Sequence, residues 1–163
     1  MVFGQLRTID GRGFTLTELL VVVGVIGILA VASIPYFITY WQNSTLAGGA
    51  QELQTIVNQG RQLAITNNCG VTVTQASNQA QISLNSNCPT PPYCGGLPCN
   101  WRGPGTDSSG NFTLANSVRV SSGSVTFNYL GAGTTPGTFT VTNPVNGATQ
   151  TVTVSSAGRV TIP

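Results

Sequence analysis

Histidine and lysine are absent from this sequence, and charged residues of any kind are scarce. The 163 residues include six basic residues, all arginine, and four acidic residues, so 6% of the chain is charged. Histidine is the commonest general base and metal ligand, and four scattered carboxylates rarely form an acid/base pair. The six arginines also form no basic stripe for nucleic acid. The sequence therefore predicts a protein that is not an enzyme and that needs no metal or cofactor.

The length suits one small domain and one anchoring segment. Residues 14–35 form an apolar run of about 20 residues, which is what a helix needs to cross a hydrocarbon core of roughly 30 Å. Ahead of this run, Arg7 and Arg12 outweigh Asp10. Because arginine is enriched on the cytoplasmic side of membrane spans, we expect a cytoplasmic N-terminus, with everything after Pro35 on the outside.

Two processing events compete for this segment. A signal peptidase could cut after Ala32, because Ala30-Val31-Ala32 has the small-x-small pattern of its sites, and would release a soluble β-rich domain. A cut between Gly13 and Phe14 would instead keep the apolar run as an anchor. Glu18 favours the second event, since in a discarded peptide its carboxylate would only cost insertion energy, on the order of 2.5 to 3.5 kcal/mol at mid-membrane. After the second cut it lies one helical turn from a new amine, with which it can pair in its own chain or in a neighbour.

This region resembles the prepilin signature of type IV pilins and pseudopilins. The likeness is carried by residues 13–20, GFTLTELL, by the apolar run behind them and by Pro35. It implies that a membrane-embedded prepilin peptidase cuts after Gly13 and N-methylates Phe14. It also implies that Glu18 sets the register of subunits in a filament and that Pro35 kinks the helix.

Helical periodicity continues beyond the apolar run. Apolar and small residues recur at spacings of four and three, which predicts that residues 36–68 form an amphipathic second half of the same helix. Gly48-Gly49 weakens this helix by roughly 1 kcal/mol per glycine, so we expect a bend there. Asn67-Asn68 and Gly70 mark its end. The predicted buried stripe consists of Leu46, Ala50, Leu53, Ile56, Val57, Gly60, Leu63 and Ala64.

From residue 69 onward the chain consists of short runs rich in valine and threonine that alternate with polar residues, which predicts antiparallel strands. Val125, Phe127 and Tyr129 are expected to face inward. Residues 88–116 contain five prolines and many glycines, which predicts a long irregular loop. The fold class is therefore α+β, with a long N-terminal helix packed against an antiparallel β-sheet head over residues 69–163, as in the pilin fold. The predicted strands are 71–75, 81–84, 117–120, 124–129, 138–142, 151–154 and 159–162.

The four cysteines would lie outside the membrane, in a compartment that is oxidising in most bacteria with an envelope. They include no C-x-x-C pair, so disulfides are favoured over zinc. A hairpin of the first two strands that turns at 78–79 would set Val73 against Leu84 and Cys69 against Cys88, at a Cα separation of about 4.5 to 5.5 Å that suits a disulfide. The predicted disulfides are Cys69–Cys88 and Cys94–Cys99.

The head is similar to the GspH/FimT-type family, which comprises pseudopilins of type II secretion and minor pilins of twitching pili. Residues 53–67, with Arg61 among them, and the closing stretch 152–160 carry this likeness. It covers nearly the whole chain except the loop 88–116.

These features predict a structural minor pilin or pseudopilin of a type IV filament machine, either a type IV pilus or a type II secretion system. Its partners would be the prepilin peptidase, other pilins or pseudopilins, and the bacterial inner membrane, which it would span once with its head in the periplasm or at the cell surface. The leader 1–13 would be removed. Gly24, Gly27 and Ala30 would let neighbouring helices approach closely.

Two alternatives stay open. One is the soluble secreted domain released after Ala32. The other is a DNA-binding minor pilin of a DNA-uptake pilus, which would need three arginines to converge on one face of the head. These are Arg102, Arg119 and Arg159.

Overall fold

The computed structural model describes residues 14–163, which form one long helix followed by a β-sheet head. Helix α1 spans Leu16–Thr66. The chain divides at Thr39 into an N-terminal unit, which holds the first part of α1, and a head unit, Tyr40–Pro163. The strands are β1 (Val71–Ser77), β2 (Gln79–Leu84), β3 (Cys99–Asn100), β4 (Asn111–Thr113), β5 (Arg119–Phe127), β6 (Gly137–Thr142), β7 (Thr149–Val154) and β8 (Val160–Thr161).

All eight strands belong to one sheet with the order β3-β2-β1-β5-β6-β7-β8, and β4 pairs with β2 beside β3. Every pairing is antiparallel. A long helix packed against this sheet is the α+β architecture that the sequence predicts.

The second half of α1 packs on one face of the sheet. A Cβ on Gly49 would lie 2.6 Å from Cγ2 of Val118, and a Cβ on Gly60 would collide with Val73. These glycines therefore let the helix lie directly on the strands. At Gly48-Gly49, where the sequence predicts a weak point, α1 remains helical. The buried residues of α1 are Leu46, Gly49, Ala50, Leu53, Ile56, Val57, Gly60 and Ala64. This confirms the predicted stripe except for Leu63, which is only partly buried at its border.

Asparagine ends α1. Asn68 adopts a left-handed conformation with φ 51°. The N–H of Cys69 donates to the carbonyl of Ala64 at 3.0 Å, and the N–H of Asn68 donates to that of Ile65 at 3.2 Å. This pair of bonds is the Schellman pattern, and asparagine tolerates the left-handed position better than most residues. The end predicted at Asn67-Asn68 is confirmed.

The register of the β1–β2 hairpin differs from the prediction by two residues. Val73 lies opposite Ile82 rather than Leu84. The turn falls at 77–78, one residue earlier than predicted, because Ser77 takes the left-handed conformation with φ 59°. A shift of two residues keeps every side chain on its face of the sheet, so the inward positions are unchanged.

Both predicted cysteine pairs form disulfides in the structure. Cys69 does not lie opposite Cys88 within the ladder, because β2 ends at Leu84. Instead the chain turns back after β2, where the N–H of Asn85 donates to the carbonyl of Gly70 at 3.0 Å and that of Cys88 donates to Asn85 at 3.0 Å. The turn brings the Cα atoms of Cys69 and Cys88 to 4.9 Å.

The fifth strand corrects two predictions. The sequence predicts separate strands at 117–120 and 124–129, but β5 is continuous and carries an irregularity opposite residues 75–77 of β1. Tyr129, which the sequence predicts to face inward, is 53% exposed. The strand ends before it, because the Asn128 side chain accepts the N–H groups of Leu130 and Ala132 and turns the chain.

The loop 88–116 is less irregular than predicted. It contains β3 and β4, which are two and three residues long. Strands this short leave no alternating pattern in a sequence. Both pair with the outer edge of β2.

Of the two buried polar side chains within residues 14–163, Gln75 and Asn143, only Gln75 lacks a hydrogen-bond partner. Gln75 on β1 is 1% exposed, and its amide nitrogen and oxygen have no hydrogen-bond partner. It lies opposite Ala80 of β2 and Gly123 of β5, whose small side chains leave room for it. A buried polar group without a partner costs roughly 1 to 3 kcal/mol.

We expect Gln75→Met to raise the free energy of unfolding by about 1 to 3 kcal/mol, because an apolar side chain of similar length fills the same space without an unpaired amide. Urea denaturation of the full chain in detergent measures the effect. Thr74→Val at the adjacent exposed position is the control and should change stability by less than about 0.5 kcal/mol. If Gln75→Met lowers the free energy of unfolding instead, the Gln75 amide has hydrogen-bond partners and the expectation is wrong.

Candidate assembly site

The N-terminal end of α1 carries Glu18 in its first turn. The backbone N–H of Glu18 donates to Oγ1 of Thr15 at 3.2 Å. Thr15 is therefore the N-cap of α1, and Thr15 with Glu18 three residues later has the spacing of a capping box. A carboxylate in the first turn also suits the positive end of the helix dipole. Thr15 was missed in the sequence, although the T-x-x-E pattern could have identified it.

Phe14 and Glu18 are both exposed and lie one helical turn apart. Gly13, the other residue of the predicted cleavage site, and the leader 1–13 lie outside the described residues. Cleavage between Gly13 and Phe14 stays a prediction.

The first part of α1 is apolar and fully exposed. All of residues 14–41 are exposed in the isolated chain. By length and composition, α1 is the one helix within residues 14–163 that could cross a membrane. Exposed apolar area on this scale needs a cover other than water.

Small residues give this segment a smooth surface. A Cβ on Gly24 or on Gly27 would meet no atom within 4 Å, so packing within the chain requires neither glycine. Pro35 lies inside α1, which continues past it. Proline removes one helical hydrogen bond. The Thr39 hydroxyl donates to the carbonyl of Pro35 at 3.0 Å.

At the far end of α1, three segments meet around Arg61. Its Nε donates to the carbonyl of Gly131, in the turn between β5 and β6, at 2.9 Å. Gly158, in the turn between β7 and β8, lies so close that a Cβ there would collide with the same carbonyl. Gly158 also has φ +75°, which favours glycine. Arg61 and Gly158, which lie in the two stretches that carry the family likeness, therefore form one structural junction.

The loop 88–116 folds on its own contacts. The rings of Trp101 and Phe112 stack with centroids 6.0 Å apart. Arg102 lies over the ring of Tyr93, 6.0 Å from its centroid. Asp107 accepts the backbone N–H and the side-chain amide of Asn111 at 2.8 and 3.0 Å, and these bonds hold the pKa of its carboxyl below the usual range.

The three arginines of the DNA-binding alternative do not form one cluster. Arg102 follows β3 and Arg159 precedes β8, and these strands are the opposite edges of the sheet. Six strand spacings separate the edges, about 29 Å at 4.8 Å per strand. No group of three or more His, Cys, Asp or Glu side chains within residues 14–163 could hold a metal ion.

The fold and the exposed N-terminal helix define a type IV pilin-like protein. The family model described as Type II transport protein GspH matches residues 49–158, and the model of the prokaryotic N-terminal methylation motif matches residues 11–34. The chain therefore belongs to the GspH family of minor pilins and pseudopilins, which are structural subunits of type IV filament systems and not enzymes. This finding confirms the resemblance seen in the sequence.

Two solved structures share the fold. Both are crystal structures of the type IV minor pilin FimU from Pseudomonas aeruginosa strain PAO1, in different crystal forms. One is 17% identical with a TM-score of 0.50 and covers 72% of this chain and 92% of its own. The other is 16% identical with a TM-score of 0.52 and covers 76% and 92%. No curated protein matches the chain.

The Arg61 junction gives a matched pair of glycine variants. Gly158 and Gly147 both have a left-handed φ, but a Cβ on Gly147 would meet nothing within 4 Å. We expect Gly147→Ala to cost only the backbone strain, about 1 to 2 kcal/mol. Gly158→Ala should cost about 1 to 3 kcal/mol more, because the methyl group collides with the Gly131 carbonyl. Urea denaturation compares the two, and equal losses would contradict the close contact.

Proposed function

We propose that this chain is a membrane-anchored subunit of a type IV pilus or a type II secretion pseudopilus that assembles through the first part of α1. The observation that carries this proposal is an exposed apolar helix with a single carboxylate, Glu18, in its first turn. A lone carboxylate at the start of a membrane span is costly unless an assembly gives it a partner. The membership in the GspH family supports the same function.

The proposed topology has the N-terminus in the cytoplasm and the head outside the inner membrane. The excess of Arg7 and Arg12 over Asp10 supports this orientation. The two disulfides of the head support an oxidising compartment.

In the assembled filament, Glu18 would pair with the methylated amine of Phe14 in a neighbouring subunit. The carboxylate is exposed in the single chain and would lie among apolar helices in the bundle. An ion pair in such surroundings fixes the axial position of one helix against the next, because any other register leaves a charge unpaired. Gly24 and Gly27, which no contact within the chain requires, would allow the helices to approach closely.

The DNA-binding alternative is not favoured, because Arg102 and Arg159 lie at opposite edges of the sheet. The secreted alternative differs from our proposal in where the chain is cut. The mass of the mature protein therefore separates the two.

We expect the mature protein to begin at N-methylated Phe14 and to remain in the membrane fraction. This expectation rests on the prepilin signature at residues 13–20 and on the match to the methylation motif. Intact-mass measurement on protein from the native host measures both the cut and the added methyl group. A product that begins at Ser33 would contradict the proposal. Gly13→Trp should leave the leader attached.

We expect Glu18→Gln to reduce incorporation into filaments by on the order of tenfold, because it removes the charge while glutamine still suits the capping box. Thr15→Ala is the matched control, since it removes the cap but keeps the charge. Quantitative blotting of sheared filaments in a complementation assay measures incorporation. If Glu18→Gln assembles at the parental level, or if both variants fail equally, pairing of the Glu18 charge does not set the register.

A further inference from the structure

The turn between β6 and β7 is fastened to the start of the head's part of α1. Nδ2 of Asn143 donates to the carbonyl of Gln42 at 3.1 Å. Nδ2 of Asn146 donates to the side-chain oxygen of Gln42 at 3.0 Å. The turn 143–148 is thereby held against Gln42, which directly follows Tyr40 and Trp41 in the helix. We call the surface formed by residues 40–42 and 143–148 the basal surface.

The basal surface presents apolar and aromatic side chains. Val145 at the tip of the turn is 76% exposed, Tyr40 is 71% exposed and Trp41 is 65% exposed. Charged residues are absent from both stretches of sequence, 19–51 and 120–158, but the exposed Arg119 lies opposite Thr142, the residue before the turn. Tyrosine and tryptophan are typical of the headgroup region of a bilayer, where one end of the ring is apolar and the other is wet, and an arginine at its border can extend to the headgroups.

Both asparagine side chains and most N–H groups of the turn are already paired within the protein. Oδ1 of Asn143 accepts the N–H of Val145 at 2.9 Å, and Oδ1 of Asn146 accepts that of Ala148 at 3.0 Å. The N–H of Gly147 donates to the carbonyl of Asn143 at 2.9 Å. Moving this turn from water into the less polar headgroup region therefore leaves few hydrogen bonds unmade, and the Val145 side chain gains from the transfer.

We propose that the basal surface docks on the headgroup region of the membrane that α1 spans, with Val145, Tyr40 and Trp41 among the lipid headgroups. This inference rests on the proposed membrane anchor. Trp41 follows Pro35 by six residues, so at most about 9 Å of helix separates it from the end of the apolar run. The headgroup region is about 5 to 8 Å thick on each side of the hydrocarbon core. The covalent chain thus delivers the basal surface to the bilayer surface.

Tryptophan fluorescence in vesicles tests the contact. The full chain is reconstituted at a low protein-to-lipid ratio into phosphatidylcholine vesicles whose acyl chains carry bromine at a shallow or a deep position. Trp101→Phe leaves Trp41 as the only tryptophan, and its stack on Phe112 tolerates a phenyl ring. A second reporter is Val145→Trp in a chain that also carries W41F and W101F. The exposure of Val145 makes this change tolerable.

Two further reporters in the W41F/W101F chain complete the design. Tyr129→Trp is the matched control, because Tyr129 is also exposed but lies far from the basal surface. Its turn is held by Arg61, and Arg61 follows Gln42 by 19 residues, or about 28 Å of helix. Val25→Trp reports on the span itself.

The expected result is that Trp41 and the V145W reporter lose more emission to shallow than to deep bromine, and at least about twofold more than the Y129W reporter. If deep bromine quenches the V25W reporter but the V145W reporter loses no more emission than the Y129W reporter, this inference is overturned and the membrane anchor is retained. V25W without quenching would overturn the anchor and the inference with it. A V145W emission that changes only with protein-to-lipid ratio, without bromine quenching, would assign the surface to a neighbouring subunit and overturn the membrane contact.

Discussion

The packing of one narrow stripe of α1 on the sheet is the interaction on which the head depends. Glycines lie at the points of closest approach, where Gly49 meets Val118 and Gly60 meets Val73. Each large side chain buried beside them contributes on the order of 1.5 to 3 kcal/mol. Polar contacts then fix the helix to β8 and to the turn between β4 and β5, since Gln54 donates to the carbonyl of Val160 at 3.2 Å and Glu52 accepts the N–H of Ala115 at 2.8 Å.

The same helix has two different environments along its length. Up to residue 41 every residue is exposed, and from Leu46 onward a stripe is buried. The sequence marks this change by a shift from continuous apolar residues to a helical period. One element therefore serves both as the proposed assembly element and as the support of the head, and the core needs only half of the helix.

The two edges of the sheet are finished differently. The loop 88–116 covers the outer edge of β2, since β3 and β4 pair with its two ends and the N–H of Trp101 donates to the carbonyl of Ile82 between them at 2.7 Å. At the other edge, β8 pairs only with Thr153 and Val154 of β7. Short edge strands and a covering loop limit pairing between sheets, which matters for a protein that is concentrated in an assembly.

Periodicity predicted what depends on burial, namely the stripe of α1 and the inward faces of β1 and β2. The end of the helix was predicted by a different signal, Asn67-Asn68 followed by Gly70. Periodicity failed at two other places where one backbone conformation decides. The hairpin turns at Ser77 because serine takes the left-handed position there, and β5 ends at Asn128 because an asparagine side chain turns the chain. Of the candidate site, the sequence identified Glu18 but not the Thr15 cap. The proposed partner of Glu18 lies in a neighbouring subunit, so no pattern within one chain can show the pairing.

The disulfide between Cys69 and Cys88 has a mechanical consequence. In a filament under tension, force would enter the head through α1, which ends immediately before Cys69. The bond spans a sequence separation of 19 residues, which hold the whole β1–β2 hairpin. Those residues could otherwise extend by roughly 65 Å when pulled straight. Because the two ends of this stretch are joined, load passes directly from the helix end to the loop behind the hairpin, and β1 and β2 are excluded from the extensible length of the chain.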